Sequence, residues 1–331
     1  MSNNNQNINY LIRGMGITQM IGVICEAGLP DELDQAGAMP VSSAAQKLNV
    51  NEDVLLRICR ALVSFGFFSM DSDGNISHNE QSLLLRKDNV SSQHWAARFW
   101  TSPGIWQAWG ALGHALKTGE EAFEHVHHQQ FFSYMDAHED EVKVYQQYMS
   151  RGYAGRHATV AANIPLESAR LIVDVGGGKG TLLQEILKRN VDITGIVYDQ
   201  PGILADVSRT EERLSFVEGS FFDSVPGAGD LYILSWVLHD WPDREVLNIL
   251  HSCRLAMQPG KRLIIAERLM SEDIAECDAF DLLLDIHMQV LHNGKERTLT
   301  EFSKLLDSSG FNEVKVVFNH AAFSIIEAVA C

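Results

Sequence analysis

The stretch Leu171-Ile-Val-Asp-Val-Gly-Gly-Gly-Lys-Gly180 constrains the fold more than any other part of this chain. Its apolar first half is typical of a strand buried on both faces, as in a parallel sheet. The glycines that follow allow backbone conformations closed to other residues and a close approach to a ligand. An amphipathic helix is predicted from Thr181 onward. A strand, a glycine turn and a helix start together indicate the nucleotide corner of a doubly wound α/β sheet.

The spacing of these glycines restricts the nucleotide. The Gly-x-Gly-x-x-Gly fingerprint of dinucleotide-binding proteins is not met, and the phosphate-loop pattern fails because Lys179 is followed by Gly180. The next predicted strand, Ile193 to Tyr198, leads to Asp199, whose carboxylate can accept both hydroxyls of a ribose. An acid at a strand end is equally often a solvated turn, but next to the glycine turn the ligand interpretation is favoured.

Composition and charge exclude several classes of partner. The 331 residues are 46% hydrophobic, which suffices for two domains with their own cores. Lys and Arg number 26 against 43 Asp and Glu, and the net charge of -17 opposes binding to nucleic acids or anionic membranes. The five cysteines include no Cys-x-x-Cys pair, which predicts reduced thiols in a cytoplasm and no zinc site.

The apolar patch from Ile17 to Cys25 is not expected to be a signal peptide. It lacks a basic leader and a small-residue cleavage site, and its apolar residues follow helical spacing. No apolar run in the chain approaches the length of a bilayer span. We therefore predict a cytoplasmic protein.

Residues 41–85 have the layout of a winged helix. A short helix at 42–48 precedes a helix capped by Asn51, and two strands follow at about 67–71 and 75–78. Five basic residues are balanced by five acidic ones from 41 to 87, so this segment lacks the basic face that DNA binding requires. A dimerisation platform is the favoured interpretation. The apolar face predicted for the second helix consists of Val54, Leu55, Ile58, Leu62 and Phe65.

The region between about 89 and 165 is predicted to be helical and is rich in aromatic residues. Most of these are interpreted as core, and some suit a pocket for a flat substrate, where Met149 adds an adaptable thioether. The cluster His125-Val-His127-His128 suggests a metal, but without a nearby carboxylate pattern solvated histidines are favoured. We predict no metal, and domains at 1–88, 89–165 and 166–331.

Strands and helices continue to alternate after Asp199, as a doubly wound sheet requires. Strands are predicted at 214–218, 230–235 and 262–266, helices at about 243–257 and 300–309, and two last strands at 314–318 and 322–328. Ligands of such sheets bind at the carboxyl ends of the strands. Because His239, Glu267 and Glu296 follow strands or lie in loops at that edge, we expect these three groups to meet beside the nucleotide.

The motifs in this order resemble those of S-adenosylmethionine-dependent O-methyltransferases of the caffeic-acid and hydroxyindole type. The likeness covers nearly the whole chain and rests on these elements: Val173-Asp-Val-Gly-Gly-Gly-x-Gly180, Asp199-x-Pro201, Gly219-Ser-Phe-Phe222, Trp236-Val-Leu-His-Asp-Trp241, Glu267 and Gly294-Lys-Glu-Arg-Thr298. The resemblance implies a mostly parallel methyltransferase sheet with an antiparallel last strand, and an amino-terminal winged-helix domain that forms a homodimer. It also implies S-adenosylmethionine as cofactor and a small hydroxylated aromatic or polyketide-like substrate.

The resemblance further implies roles for individual residues. Those expected to hold the cofactor are Gly176 and Gly178 at the methionine part, Asp199 at the ribose, Ser220 and Phe221 beside the adenine, Ser235 nearby and Trp241 against the purine. Those expected to touch the substrate are Met149, Met288 and Asn293. His239 is expected to be the general base, with Glu267 and Glu296 beside it. Plant members differ at two of these positions, with an acid in place of Ser220 and a lysine in place of Ser235.

The chemistry gives a separate reason for a histidine with acidic neighbours. Methyl transfer from a sulfonium is an in-line displacement, which needs an aligned and nucleophilic oxygen. A phenol has a pKa of about 10 and histidine one of about 6.5, so proton transfer in water is uphill by roughly 5 kcal/mol. Neighbouring carboxylates reduce that cost by stabilising the imidazolium. Without the family context, a core histidine bound to backbone is the favoured interpretation of His239.

Two other functions remain open at this point. One is a non-methylating enzyme on the same cofactor-binding scaffold, such as a hydroxylase, decarboxylase or cyclase, although the retained His239, Glu267 and Glu296 argue against it. The other is a winged-helix regulator that senses a small molecule, which the charge balance disfavours.

Overall fold

The computed structural model describes residues 8–152, 155–205, 211–320 and 322–331. Contacts divide them into two compact units, one from the described residues of 1–110 and 126–153, the other from those of 111–125 and 154–331. The region predicted as a helical connector therefore contributes residues to both units.

The helices of the described residues, numbered in chain order, are α1 (Gly14–Ala27), α2 (Leu29–Ala36), α3 (Val41–Leu48), α4 (Glu52–Ser64), α5 (Glu80–Leu83), α6 (His94–Trp100), α7 (Pro103–Gly110), α8 (Leu112–Thr118), α9 (Ala122–His127), α10 (Phe131–Ala137), α11 (Glu139–Gly152), α12 (Arg156–Asn163), α13 (Thr181–Arg189), α14 (Pro201–Leu204), α15 (Asp243–Ala256), α16 (Ala279–His292) and α17 (Leu299–Ser308). Single 3-10 turns lie at Leu238–Asp240 and Ile274–Glu276. The strands are β1 (Met39–Pro40), β2 (Ser69–Met70), β3 (Asn75–Ser77), β4 (Leu171–Val175), β5 (Thr194–Asp199), β6 (Leu214–Glu218), β7 (Leu231–Ser235), β8 (Arg262–Glu267), β9 (Leu269–Met270), β10 (Arg297–Thr298), β11 (Phe311–His320) and β12 (Phe323–Ala330). Within the described residues, no helix combines the length and the apolar character that crossing a lipid bilayer requires.

The first unit contains a small antiparallel sheet in the order β1-β3-β2. Ile76 of β3 is fully buried and pairs with Met39 on one side and Met70 on the other. The two strands predicted for the wing are present, and β1 joins them as a third. With only two residues, β1 is too short for its apolar periodicity to be recognised in the sequence.

Helix α4 begins as predicted, because the Asn51 side chain accepts a hydrogen bond from the Val54 backbone N–H. Its buried face differs from the prediction and consists of Leu55, Cys59 and Leu62. Val54 is 49% exposed and Phe65 is 39% exposed. The buried positions are spaced by four and three residues, which is one stripe of a helix, and Val54 lies beside that stripe.

The second unit contains a seven-stranded sheet in the order β11-β12-β8-β7-β4-β5-β6. The pairs from β6 to β8 are all parallel, and β12 runs antiparallel to both of its neighbours. This confirms the doubly wound α/β fold and its antiparallel last strand. Successive residues of the central strand β4 enter different cores, since Ile172 and Val173 belong to apolar clusters on opposite faces.

Strand β11 is longer than predicted, at Phe311–His320 instead of 314–318. It is an edge strand with exposed Asn312 and Glu313, and its pairing with β12 shifts register between Asn312 and Lys315. Only Phe311 of this strand is buried, so the ends of the strand lack the apolar alternation by which a half-buried strand is recognised.

We predict that Leu250→Ala destabilises the second unit by about 2–5 kcal/mol, because it opens a cavity in a fully buried part of α15. Leu255 lies on the same helix and is 74% exposed, so Leu255→Ala is the matched control and is expected to change stability little. Urea unfolding followed by circular dichroism measures both. Equal midpoints for the two variants would contradict this packing.

Candidate active site

The glycine turn lies between β4 and α13 at the carboxyl edge of the sheet. Gly176 has a φ of 71°, and a Cβ there would lie 2.7 Å from Cγ2 of Val237. Gly178 has a φ of 58°, and a Cβ there would meet no atom within 4 Å. The turn is therefore closed against protein at Gly176 and bordered by open space at Gly178, as expected for a backbone that receives a ligand.

Asp199, at the end of the neighbouring strand β5, fastens this turn. Its Oδ2 accepts a hydrogen bond of 2.8 Å from the Gly178 N–H, and its Oδ1 accepts one of 2.7 Å from the Gln200 N–H. Burial raises the pKa of Asp199, and the two backbone donors partly offset that rise. Each oxygen keeps a second lone pair, so the carboxylate can still accept hydroxyl donors.

Two side chains near the turn have buried oxygen atoms that form no hydrogen bond with any described residue. They are Asp174 on β4, with both carboxyl oxygens, and Ser235 on β7, with its Oγ. Burial, followed by the negative charge of Asp199, raises the pKa of Asp174 to about 7. Unpaired buried polar groups are costly, so this arrangement fits a bound molecule that carries its own polar groups. In the sequence, Asp174 stands in the predicted strand before the glycine turn, and the sequence alone predicts no further role for it.

Aromatic side chains border the turn on another side. Phe221 is buried, and its ring centroid lies 6.1 Å from that of Trp241 at an interplanar angle of 83°. A Cβ on Gly176 would be 3.7 Å from Cε1 of Phe221, so the ring adjoins the glycine turn. The Oγ of Ser220 accepts a hydrogen bond from the Phe222 N–H. The rings of Phe221 and Trp241 together form an apolar wall beside the turn.

The three residues predicted to be catalytic are brought together. His239 lies on the 3-10 turn after β7, and its Nδ1 is 3.0 Å from Oε1 of Glu296 and 4.0 Å from Oε2 of Glu267. Its other ring nitrogen, Nε2, is 3.5 Å from Oδ1 of Asp240. Both glutamates are almost completely buried. Glu296 is therefore the direct partner of the imidazole, and it fixes the orientation of the ring.

Glu267 performs a different task from Glu296. Its Oε1 accepts hydrogen bonds from the backbone N–H groups of Val237 and Leu238, at 3.0 and 2.8 Å. These two residues follow Trp236, which adopts a left-handed conformation with a φ of 53°. Such a conformation is unfavourable for a bulky residue and persists only where its surroundings enforce it. Glu267 thus stabilises the backbone between Trp236 and His239.

The charges of this cluster determine where protons lie. Burial lowers the pKa of His239, but Asp240, Glu267 and Glu296 outweigh it and raise the pKa to about 10. Burial raises the pKa of Glu267 to about 7, with the positive charge of His239 opposing that rise. The carboxylates that face both ring nitrogens therefore favour the protonated form of His239.

Arg297 joins the two loops that carry this cluster. Its side chain is 0% exposed and donates to the carbonyl oxygens of Leu238, Trp241 and Lys295 and to Oδ1 of Asp243. In the sequence, Arg297 stands within the motif Gly294-Lys-Glu-Arg-Thr298, from which no role for it is predicted. An arginine between a glutamate and a threonine does not reveal in the sequence which four groups it contacts in the structure.

The loop before Glu296 lies directly against the histidine. The Lys295 N–H donates to the His239 carbonyl oxygen at 2.9 Å, and a Cβ on Gly294 would be 2.1 Å from that same oxygen. Asn293 ends α16 in a left-handed conformation, and Met288 is buried one turn earlier. These two predicted substrate contacts therefore lie in or next to the loop that touches His239. Met149 is a half-buried residue of α11 in the other unit.

The histidines considered for a metal have other partners. The His125 ring stacks on that of His114 with centroids 3.8 Å apart, and His127 Nε2 lies 3.0 Å from the Gly104 carbonyl oxygen. Over the residues that the structure describes, no group of three or more His, Cys, Asp or Glu side chains is arranged to hold a metal ion.

We predict that Glu296→Gln lowers the pKa of His239 by at least about one pH unit, because it removes the carboxylate in contact with Nδ1. In the parent protein the folded state binds this proton more tightly, so the resulting stability is present below the ordinary pKa of 6.5 and is lost as the pH rises toward about 10. NMR titration of the imidazole measures the shift. Glu276→Gln, a charge change at an exposed residue, is the control, and equal titration curves in the two variants would refute the pairing.

Two family models together match most of the chain. Residues 109–312 match the O-methyltransferase domain family, and residues 10–87 match the O-methyltransferase dimerisation domain family. The chain is 35% identical over 308 residues to the 3-amino-4-hydroxybenzoate 4-O-methyltransferase of Streptomyces cremeus, with 91% of this chain and 83% of that protein covered.

Two solved structures extend the likeness to the whole fold. The mitomycin 7-O-methyltransferase MmcR superposes with a TM-score of 0.89 at 27% identity, covering 99% of this chain and 98% of that one. The O-methyltransferase NcsB1 of neocarzinostatin biosynthesis, solved with S-adenosyl-L-homocysteine and 1,4-dihydroxy-2-naphthoic acid, has a TM-score of 0.81 at 26% identity, covering 95% and 96%. The resemblance inferred from the motifs is thereby confirmed, and the chain belongs to the O-methyltransferase family.

Proposed function

We propose that this O-methyltransferase moves a methyl group from S-adenosylmethionine to a hydroxyl of a small aromatic or polyketide-like metabolite. The observation that carries the proposal is the distance of 3.0 Å between His239 Nδ1 and Glu296 Oε1. His239 comes after β7 and the glycine turn comes after β4, and these two strands are parallel neighbours in the sheet. The names of the relatives, which include a hydroxybenzoate methyltransferase and an enzyme with a bound dihydroxynaphthoic acid, support this class of acceptor.

The cofactor is assigned to the edge formed by β4, β5 and β7. In this assignment Gly176 and Gly178 receive the methionine part, and Asp199 accepts the ribose hydroxyls. Ser220 and Phe221 flank the adenine, Trp241 packs against it, and Ser235 lies nearby. The unpaired oxygens of Asp174 and Ser235 support a polar ligand at this place. When bound, S-adenosylmethionine supplies an electrophilic methyl group on a positively charged sulfonium.

His239 is assigned as the general base. With Nδ1 held by Glu296, Nε2 is the nitrogen available to take the hydroxyl proton as the new oxygen–carbon bond forms and the carbon–sulfur bond breaks. Glu296 and Glu267 stabilise the resulting imidazolium, and Glu267 also keeps the loop in place. Met149, Met288 and Asn293 are assigned to the substrate, as the resemblance implies.

Assembly and location belong to the same proposal. Exposed apolar residues of the first unit include Tyr10, Leu11, Ile12, Met15, Val54 and Phe65, with the rings of Tyr10 and Phe65 in edge contact. Such a surface fits a partner subunit, and together with the match to the dimerisation domain it supports a homodimer. The net charge of -17 supports a protein that binds neither nucleic acids nor membranes, and its unpaired cysteines suit the cytoplasm.

The direct test is incubation with S-adenosylmethionine and a panel of phenols, hydroxybenzoates, hydroxynaphthoates, anthraquinones and phenazines, followed by mass spectrometry. We expect at least one hydroxyl to gain a methyl group with equimolar S-adenosylhomocysteine. A product without an added methyl group that forms only with cofactor present would instead indicate a hydroxylase, decarboxylase or cyclase on this scaffold.

His239→Ala and Asp199→Ala should separate catalysis from cofactor binding. We expect His239→Ala to lower kcat by about 10²–10⁴-fold with a nearly unchanged cofactor Kd, because general base catalysis contributes this much. Asp199→Ala should raise the cofactor Kd about tenfold or more through loss of the ribose hydrogen bonds. Calorimetry and steady-state kinetics measure these values. Full turnover in His239→Ala would exclude the base, and an unchanged Kd in Asp199→Ala would exclude the ribose contact.

A further inference from the structure

Two histidines of the second unit face one carboxylate oxygen, in an arrangement that the proposed function does not use. Oδ1 of Asp240 lies 3.5 Å from Nε2 of His239 and 4.0 Å from Nε2 of His292. His239 and Asp240 belong to the 3-10 turn after β7, whereas His292 is the last residue of α16. The turn and the helix end thus place a second imidazole one carboxylate away from the proposed base.

The proposed reaction leaves a proton on His239 that has to depart before the next turnover. The hydroxyl oxygen gains the methyl group, the sulfonium becomes a neutral thioether, and the hydroxyl proton stays on Nε2. The carboxylates around the ring favour this protonated form and therefore oppose its loss. The base accordingly needs an acceptor for its proton after each methyl transfer.

The carboxylates on the Nδ1 side of the ring are shielded from solvent. The side chains of Glu267 and Glu296, which lie nearest to Nδ1, are each 1% exposed. The side chain of Asp240, which faces Nε2, is 21% exposed, and that of His292 is 11% exposed. The more exposed acceptors therefore lie on the side of the nitrogen that takes the hydroxyl proton.

His292 is suited to receive this proton as a neutral imidazole. Burial lowers its pKa, the negative charge of Asp240 opposes that shift, and the positive charge of His239 adds to it. The remaining titratable neighbour is His287 of the same helix, whose pKa is lowered to about 3, mainly by burial, so that it stays neutral. A weakly basic imidazole passes a proton on to water or buffer, whereas a strongly basic one retains it.

We propose that Asp240 and His292 form a relay that carries the proton away from His239 after each methyl transfer. The inference rests on the proposed function and adds a route for the proton that this reaction releases. Nε2 of His239 gives its proton to Oδ1 of Asp240, the resulting O–H gives it to Nε2 of His292, and the His292 ring releases one proton to solvent. His239 is left neutral and Asp240 ionised, ready for the next substrate. Both distances exceed that of a hydrogen bond, and contacts of this kind often shorten when a substrate is bound.

His292→Gln removes the second imidazole and keeps a polar side chain. Rapid-quench kinetics with mass spectrometry follow the methylated product of an acceptor that the parent enzyme methylates. We expect a first turnover at the parent rate and then a steady state at least about tenfold slower, since positioned proton transfer contributes about 10²–10⁴-fold. His251→Gln, the same change at an exposed histidine of α15, is the matched control and should behave like the parent enzyme.

Rescue by a small base tests whether the lost step is proton transfer. Imidazole at increasing concentration should raise the steady-state rate of His292→Gln toward that of the parent enzyme. The rescue should be greatest above the pKa of imidazole, where the neutral base prevails. Sodium chloride at equal ionic strength should have no effect, and the cofactor Kd of the variant should equal that of the parent.

Asp240→Asn interrupts the relay before His292. Because both residues belong to one path, the double variant Asp240→Asn with His292→Gln should turn over no slower than Asp240→Asn alone. Losses that multiply in the double variant would mean that the two side chains act independently.

The outcomes distinguish the relay from the proposed function. An unchanged steady state in His292→Gln, a loss that imidazole does not restore, or multiplied losses in the double variant overturn the relay while the methyl transfer stands. A first turnover slowed as much as the steady state means a merely structural role for His292 and also overturns it. If the parent enzyme methylates no member of the panel, the proposed function fails and the relay fails with it.

Discussion

The arrangement of the site depends first on the guanidinium of Arg297. All five of its N–H donors are used, and the acceptors come from the turn that carries His239, from the start of α15 and from the loop that carries Glu296. Loss of the side chain would remove the donor that the Trp241 and Lys295 carbonyl oxygens use, and a buried acceptor left unpaired costs about 1–3 kcal/mol. A planar, permanently charged group with a fixed fork of donors suits this position better than a flexible ammonium. Arg297 thus joins the backbone on both sides of His239 to the backbone of the Glu296 loop.

The acidic groups around His239 divide the work according to position. Glu296 contacts the ring, Glu267 holds the backbone, and Asp240 faces the second ring nitrogen. Together they raise the pKa of the imidazole and favour its protonated form. In the proposed function, the positive charge of the bound cofactor opposes that protonation. Under that proposal, binding of the methyl donor favours the neutral imidazole that a general base requires.

Much of this could be predicted from sequence because it follows from local patterns. The strand and the glycine turn around residue 176 can be recognised from ten consecutive residues, 171–180. The strand predicted at 214–218 has the same bounds in the structure. The convergence of His239, Glu267 and Glu296 followed from the rule on carboxyl ends of strands. What could not be predicted depends on contacts between distant segments. No periodic pattern in the sequence indicates the four acceptors of Arg297 or the hydrogen bond between Gln289 and Gly119. The same is true of the exposure of Val54 and Phe65.

The segment 111–125 belongs to the second unit, although residues on both sides of it along the chain, up to Gly110 and from Val126, belong to the first. Neither unit is therefore a continuous piece of sequence. A catalytic fragment that begins after the first unit would lack Gly119, whose carbonyl oxygen accepts a hydrogen bond from Gln289 of α16. An exchange of the second unit between related enzymes must accordingly transfer both of its segments.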